Sequence, residues 1–73
     1  MADRRLFNRL KEIRERRRLT QAELALMAGV SRKTINTIEN GIFVPSTYLA
    51  LTLAEILKLK VEDIFVLEQT RRR

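Results

Sequence analysis

The sequence predicts an all-α fold: one compact domain of five short helices in 73 residues. Three observations carry that prediction. Apolar residues recur at helical spacing, while the alternation typical of strands is nearly absent. Thr20, Ser31 and Ser46 each stand where a periodic run begins, as N-caps do. Gly29 and Gly41 stand where two of those runs end, as helix-terminating glycines do.

Leu6, Leu10 and Ile13 recur at i, i+4 and i+7 and mark one face of a first helix, with Asp3 as its cap. The cluster Arg14-Glu15-Arg16-Arg17-Arg18 ends it, and positive charge suits a helix C-terminus. Thr20 and Glu23 form a capping-box pattern, in which the hydroxyl accepts an early backbone N–H and the carboxylate reaches back to the cap. The helix that follows turns Leu24, Ala25 and Ala28 inward and stops at Gly29. Ser31 starts a third helix, which runs to Asn40 and stops at Gly41. Residues 42–45 form a loop, with Phe43 and Val44 able to pack back. Ser46, after Pro45, caps a fourth helix to about residue 58, with Leu49, Leu53, Ile56 and Leu57 inward. Leu59 and Val61 lead into a short fifth helix, Glu62 to Phe65. The stretch FVLEQTRRR is open to three readings: a strand, a fraying end or a dimer contact.

Composition excludes several function classes. There is no Cys and no His, so no disulfide, thiolate metal site or cysteine nucleophile, and the commonest general base is missing. A hydrolase built on Ser31 or Ser46 would need another base. Two glycines cannot make a glycine-rich phosphate loop. No enzyme activity, metal or cofactor is expected. No apolar run approaches the roughly 20 residues of a membrane span, and MADRRLF has no signal-peptide core, so a cytoplasmic protein is expected. The net charge of +6 favours nucleic acid or another anionic surface, although a merely basic soluble surface fits charge alone equally well. A membrane-binding face through Arg4, Arg5, Arg9, Lys11 and Arg16 to Arg18 is disfavoured, because Glu12 and Glu15 interrupt it and aromatics are lacking.

The third helix separates these possibilities. At roughly 100° per residue, Ile35 and Ile38 fall on one side. Lys33, Asn36, Thr37 and Asn40 fall on the other, with Arg32 at the edge. The outward face therefore has two cations, two carboxamides, a hydroxyl and no acid. The DNA major groove admits one helix and presents guanine acceptors to Arg or Lys, adenine edges to Asn, and thymine methyls to Thr. Glu39 falls on the inward side, where a lone carboxylate is costly, so a cation is expected beside it. Arg14, next to the core position Ile13, is the candidate; an exposed Glu39 is the alternative. Two capped helices separated only by Gly29 and Val30 are the pattern of a helix-turn-helix, whose second helix is presented outward.

TQAELALMAGVSRKTINTIENG, residues 20–41, resembles the helix-turn-helix of Cro/cI-type (lambda-repressor-like) transcriptional regulators, and the likeness continues through GIFVPSTYLALTLAEILKLKVEDIF to cover roughly residues 5–65. The resemblance implies a five-helix lambda-repressor-like domain over residues 1–66, with a tail, 67–73, that is a dimerisation strand or disordered. It implies a dimer on a palindromic double-stranded DNA operator. By position, Arg32, Lys33 and Thr37, with Asn36 beside them, would read bases; Gln21, Ser31 and Asn40 would hold phosphates; Arg14 and Glu39 would form a salt bridge between helices 1 and 3. Arg18 and Lys60 depart from the pattern: Arg18 stands where a helix-ending Gly or Asn is usual, and Lys60 replaces a small polar cap. The dimer contact is expected in helix 5 and the tail, with Phe65 and Leu67 supplying apolar area and Val66 to Thr70 pairing across the axis. The resulting expectation is a dimeric regulator, a repressor by preference. The alternative is an antitoxin-type module that neutralises a partner protein and binds its own promoter.

Overall fold

A computed structural model describes residues 4–69 of the chain. In order, it contains β1 (Leu6–Asn8), α1 (Leu10–Arg16), α2 (Gln21–Ala28), α3 (Arg32–Glu39), α4 (Thr47–Leu57), α5 (Val61–Ile64) and β2 (Phe65–Leu67). Five helices are present, but the fold is not strictly all-α. β1 and β2 form a two-stranded antiparallel sheet in the register Leu6↔Leu67, Phe7↔Val66 and Asn8↔Phe65.

The sheet corrects the expected first helix. Leu6 lies in β1, and α1 begins only at Leu10. Asn8 makes the break: its Oδ1 accepts the Leu10 N–H at 3.0 Å, and its Nδ2 donates to the Ile38 carbonyl at 2.9 Å. A carboxamide that satisfies the first N–H of a helix marks its beginning. The Arg9 N–H is taken by the Ile64 carbonyl at 2.8 Å, and the ladder extends outward through Glu68 N–H to the Arg5 carbonyl at 2.7 Å. The Asp3 cap lies outside the described residues. The division expected after residue 66 falls inside β2, whose partner is β1 of the same chain.

The other termini follow local chemistry. Thr20 and Glu23 complete a reciprocal capping box, with Glu23 N–H to Thr20 Oγ1 at 3.0 Å and Thr20 N–H to Glu23 Oε1 at 2.8 Å. Ser31 accepts the Thr34 N–H and Ser46 the Leu49 N–H, each at 3.1 Å. Gly29 and Gly41 both have φ of +73°, the left-handed conformation that costs glycine least. Arg18 takes this conformation without being glycine, at φ 59°, and so does Lys58 at the end of α4, at φ 58°. α5 begins without a capping side chain at Lys60, whose own N–H is held by Asp63 Oδ2 at 2.9 Å.

One core joins all five helices. Leu10, Leu24, Ile35, Ile38, Leu53, Leu57 and Ile64 are fully buried, with Ala25, Leu49 and Ala54 beside them. Ile13, Ala28, Ile56 and Phe65 pack on its edge, half-buried. Ile35 and Ile38 are the inward side of α3, so the core itself fixes which side of that helix faces out.

Candidate nucleic-acid interface

α3 is presented by the turn before it. Gly29 ends α2, its left-handed φ reverses the chain within two residues, and Ser31 caps α3. Arg32, Lys33, Asn36 and Asn40 are exposed, and Thr37 is half-buried at the edge of the same side. The Thr37 hydroxyl donates to the Thr34 carbonyl at 3.0 Å, which leaves its oxygen as an acceptor. The Asn40 amide donates to Asn36 Oδ1 at 3.2 Å, so each carboxamide steadies the other. Beyond the helix, the Ile42 and Phe43 N–H groups both turn back to the Thr37 carbonyl, at 2.9 and 3.2 Å. Ile42 and Phe43 therefore flank the helix next to Lys33 and Thr37.

The acid of α3 is withdrawn from that face. The Glu39 side chain is 2% exposed and the Arg14 side chain 9%. Arg14 Nε lies 2.6 Å from Glu39 Oε2, and Nη2 lies 3.2 Å from Oε1. The second Glu39 oxygen also accepts from the Gln21 amide at 3.0 Å, and Arg14 Nη1 donates to the Leu19 carbonyl at 2.8 Å. Each guanidinium nitrogen of Arg14 and both carboxylate oxygens of Glu39 have a hydrogen-bond partner, as a buried ion pair requires. The hydrogen bond to Glu39 is the main cause that raises the Arg14 guanidinium above its ordinary pKa, against the opposing effect of burial.

This arrangement differs from the sequence picture at Gln21, whose amide is directed to Glu39. Only its remaining amide N–H is left for a phosphate. Ser31 sits at the N-terminus of α3 with its hydroxyl shared between the Thr34 N–H and the Thr34 hydroxyl. Phe65, Val66 and Leu67 are in β2, the first two half-buried and Leu67 exposed. Sequence reasoning missed Asn8, which ties β1 to the last turn of α3. The signal was an Asn two residues before a periodic apolar run.

Among the described residues, no helix is long and apolar enough to cross a membrane. The helix-turn-helix family model matches residues 10–64. The chain is 42% identical over 62 residues to the HTH-type transcriptional regulator YgzD of Bacillus subtilis, covering 85% of this chain and 94% of that protein. It is 48% identical over 61 residues to an HTH-type transcriptional regulator of Methanocaldococcus jannaschii, covering 84% and 92%. Among solved structures it is similar to the restriction-modification controller protein C.AhdI of Aeromonas hydrophila, with a TM-score of 0.71 at 31% identity over 75% of this chain and 83% of that one. The clp gene regulator ClgR of Corynebacterium glutamicum gives a TM-score of 0.70 at 28% identity over 74% and 57%. Capped helices around a tight turn, an acid-free outward helix and these likenesses agree: the chain belongs to the Cro/cI-type helix-turn-helix family of DNA-binding transcriptional regulators, which is not a class of enzymes.

Proposed function

We propose that the protein binds double-stranded DNA sequence-specifically as a homodimer and represses transcription, with α3 in the major groove. The observation that carries this is the outward face of α3, which holds two cations and two carboxamides while its single acid is buried against Arg14. Arg32, Lys33, Asn36 and Thr37 read base edges. Gln21, Ser31 and Asn40 hold phosphates, helped by the backbone N–H groups at the start of α3.

A single module of this kind buries only about 600–1,000 Å² on DNA, so specificity favours two. A two-fold dimer places its recognition helices about 34–36 Å apart, on successive major grooves. Support for a second copy comes from apolar surface left exposed on α4 and β2. Tyr48, Leu51 and Leu67 are 82%, 56% and 47% exposed. Beside them lies an open hollow of about 310 Å³ lined by Leu6, Val44, Pro45, Leu51, Val61 and Phe65. Phe65, Val66 and Leu67 belong to this contact. Repression needs no further surface, because a dimer spanning two grooves excludes other proteins from its site. The same apolar belt favours a second reading, an antitoxin-type module that docks a partner protein there.

The test is selection of bound duplexes from a random pool at near-physiological salt. An enriched palindrome with half-sites one helical turn apart supports the proposal. Absence of any enriched sequence, together with a small protein that co-purifies from native extract, supports the docking module instead.

A further inference from the structure

Two cations immediately before β1, Arg4 and Arg5, are not used in groove recognition by α3. The Asn8 bond to the Ile38 carbonyl holds this strand against the last turn of α3. Between them is an open hollow of about 460 Å³, bordered by Arg5 and Phe7 on one side and by Asn40, Gly41 and Val44 on the other. Arg5 is well fixed for an exposed residue. Its guanidinium carbon lies 5.5 Å from the centroid of the Phe7 ring, a cation–π distance. Its N–H donates to Glu68 Oε1 at 3.1 Å, and its carbonyl accepts the Glu68 N–H at 2.7 Å.

Two acids are close by: one is paired with a cation, and the other accepts from a backbone N–H. Glu39 also borders the hollow, with its charge taken by Arg14. The Glu68 carboxylate is bound to the Arg5 backbone, and Arg4 Nε donates to the Glu68 carbonyl at 2.8 Å. The Arg5 guanidinium is thus a cation over an aromatic ring, bordering the same hollow as Asn40 at the end of α3.

We propose that Arg5 is a phosphate anchor: β1 extends the DNA-binding surface past the C-terminal end of α3, and Arg5 takes one backbone phosphate next to Asn40. The anchor rests on the insertion of α3 into the groove. A planar guanidinium meets a phosphate through two parallel hydrogen bonds, and steadying it on Phe7 lowers the entropy lost on contact. The C-terminal strand becomes part of the binding apparatus, because β2 holds β1 in place.

A phosphate contact contributes about 0.9 to the slope of log K against log salt, and its loss weakens binding to all sequences alike. Wild type, Arg5→Gln, Arg5→Lys and Lys33→Gln would each be titrated over a salt series on the selected duplex and on an unrelated one, with folding checked by circular dichroism. Arg5→Gln is expected to lose about 0.9 of the slope on both duplexes, and Arg5→Lys to keep it. Phe7→Leu, which removes the platform and leaves the cation, is expected to weaken both duplexes equally. A wild-type slope in Arg5→Gln overturns the anchor, as does a loss confined to the selected duplex. If Lys33→Gln still narrows the preference between duplexes, the reading of α3 survives that failure. Wild type without salt-dependent duplex binding overturns both.

Discussion

Arg14 and Glu39 meet across the α1–α3 contact with their closest atoms 2.6 Å apart, and the Gln21 amide closes on the same carboxylate. The pair ties α1 to the last turn of α3, whose rotation the buried Ile35 and Ile38 already set. It also withdraws the helix's one negative charge from its exposed side.

Breaking the pair from one side leaves a buried charge without its partner. Arg14→Met is expected to destabilise the fold by roughly 3 kcal/mol, and Arg14→Met with Glu39→Gln by clearly less than the sum of the single changes. Urea unfolding of the four proteins of this cycle measures it. Strict additivity would mean that the two side chains do not interact. The pH dependence has a definite sign. The guanidinium pKa is raised on folding, so its contribution is fully present below the ordinary guanidinium value and is lost only as pH rises through the higher folded value. The cost of Arg14→Met should therefore not change as a result of Arg14 titration anywhere near neutral pH.

Asn8 joins two elements with one side chain, accepting from the Leu10 N–H and donating to the Ile38 carbonyl. Asn8→Ala is expected to cost about 1–2 kcal/mol. Asn8→Asp separates the two bonds. It keeps the acceptor for Leu10 but sets a carboxylate against the Ile38 carbonyl, so it should be no better than alanine. Thermal unfolding of both variants decides; an aspartate as stable as wild type would mean that the bond to α3 contributes nothing.

Arg18 and Lys58 sit at φ 59° and 58°, where a side chain costs about 1–2 kcal/mol. Glycine relieves that strain and gives back part of it through its freer unfolded state. Arg18→Gly and Lys58→Gly are each expected to stabilise by about 0.5–1 kcal/mol, a rise in Tm of several degrees in calorimetry. Gly29→Ala is the converse. A Cβ there meets nothing within 4 Å, so its cost is conformational only, about 1 kcal/mol.

What the sequence made legible was local. Thr20, Ser31 and Ser46 cap the helices they precede, and Gly29 and Gly41 end two of those helices, because each acts on backbone groups within four residues of itself. Glu39 was readable as inward from its angular position beside Ile35. Leu6 misled, since its spacing to Leu10 imitates a helix turn while its real partner is Leu67 at the far end of the chain. Pairing across that separation leaves no local pattern when each strand is only three residues long. Gln21 turned inward for a similar reason: its partner, Glu39 Oε1, comes within reach only once α2 and α3 are assembled. Lys58 carries no local sign of its left-handed backbone.

The proposed dimer depends on side chains that the single chain leaves exposed. Leu51 is on α4 and Leu67 on β2, and neither belongs to the buried core. Leu51→Lys should therefore leave the fold intact while placing a cation, and its two-fold copy, in an apolar contact. Sedimentation velocity is expected to change from dimer to monomer with the far-UV circular dichroism unchanged. Because each module then binds a half-site alone, affinity for a full palindrome should fall to about that for an isolated half-site, losing the gain of linked binding, which is often 100-fold or more. A variant that stays dimeric would move the contact away from this belt, and a wild type that is monomeric yet discriminates a full site would remove the dimer from the mechanism altogether.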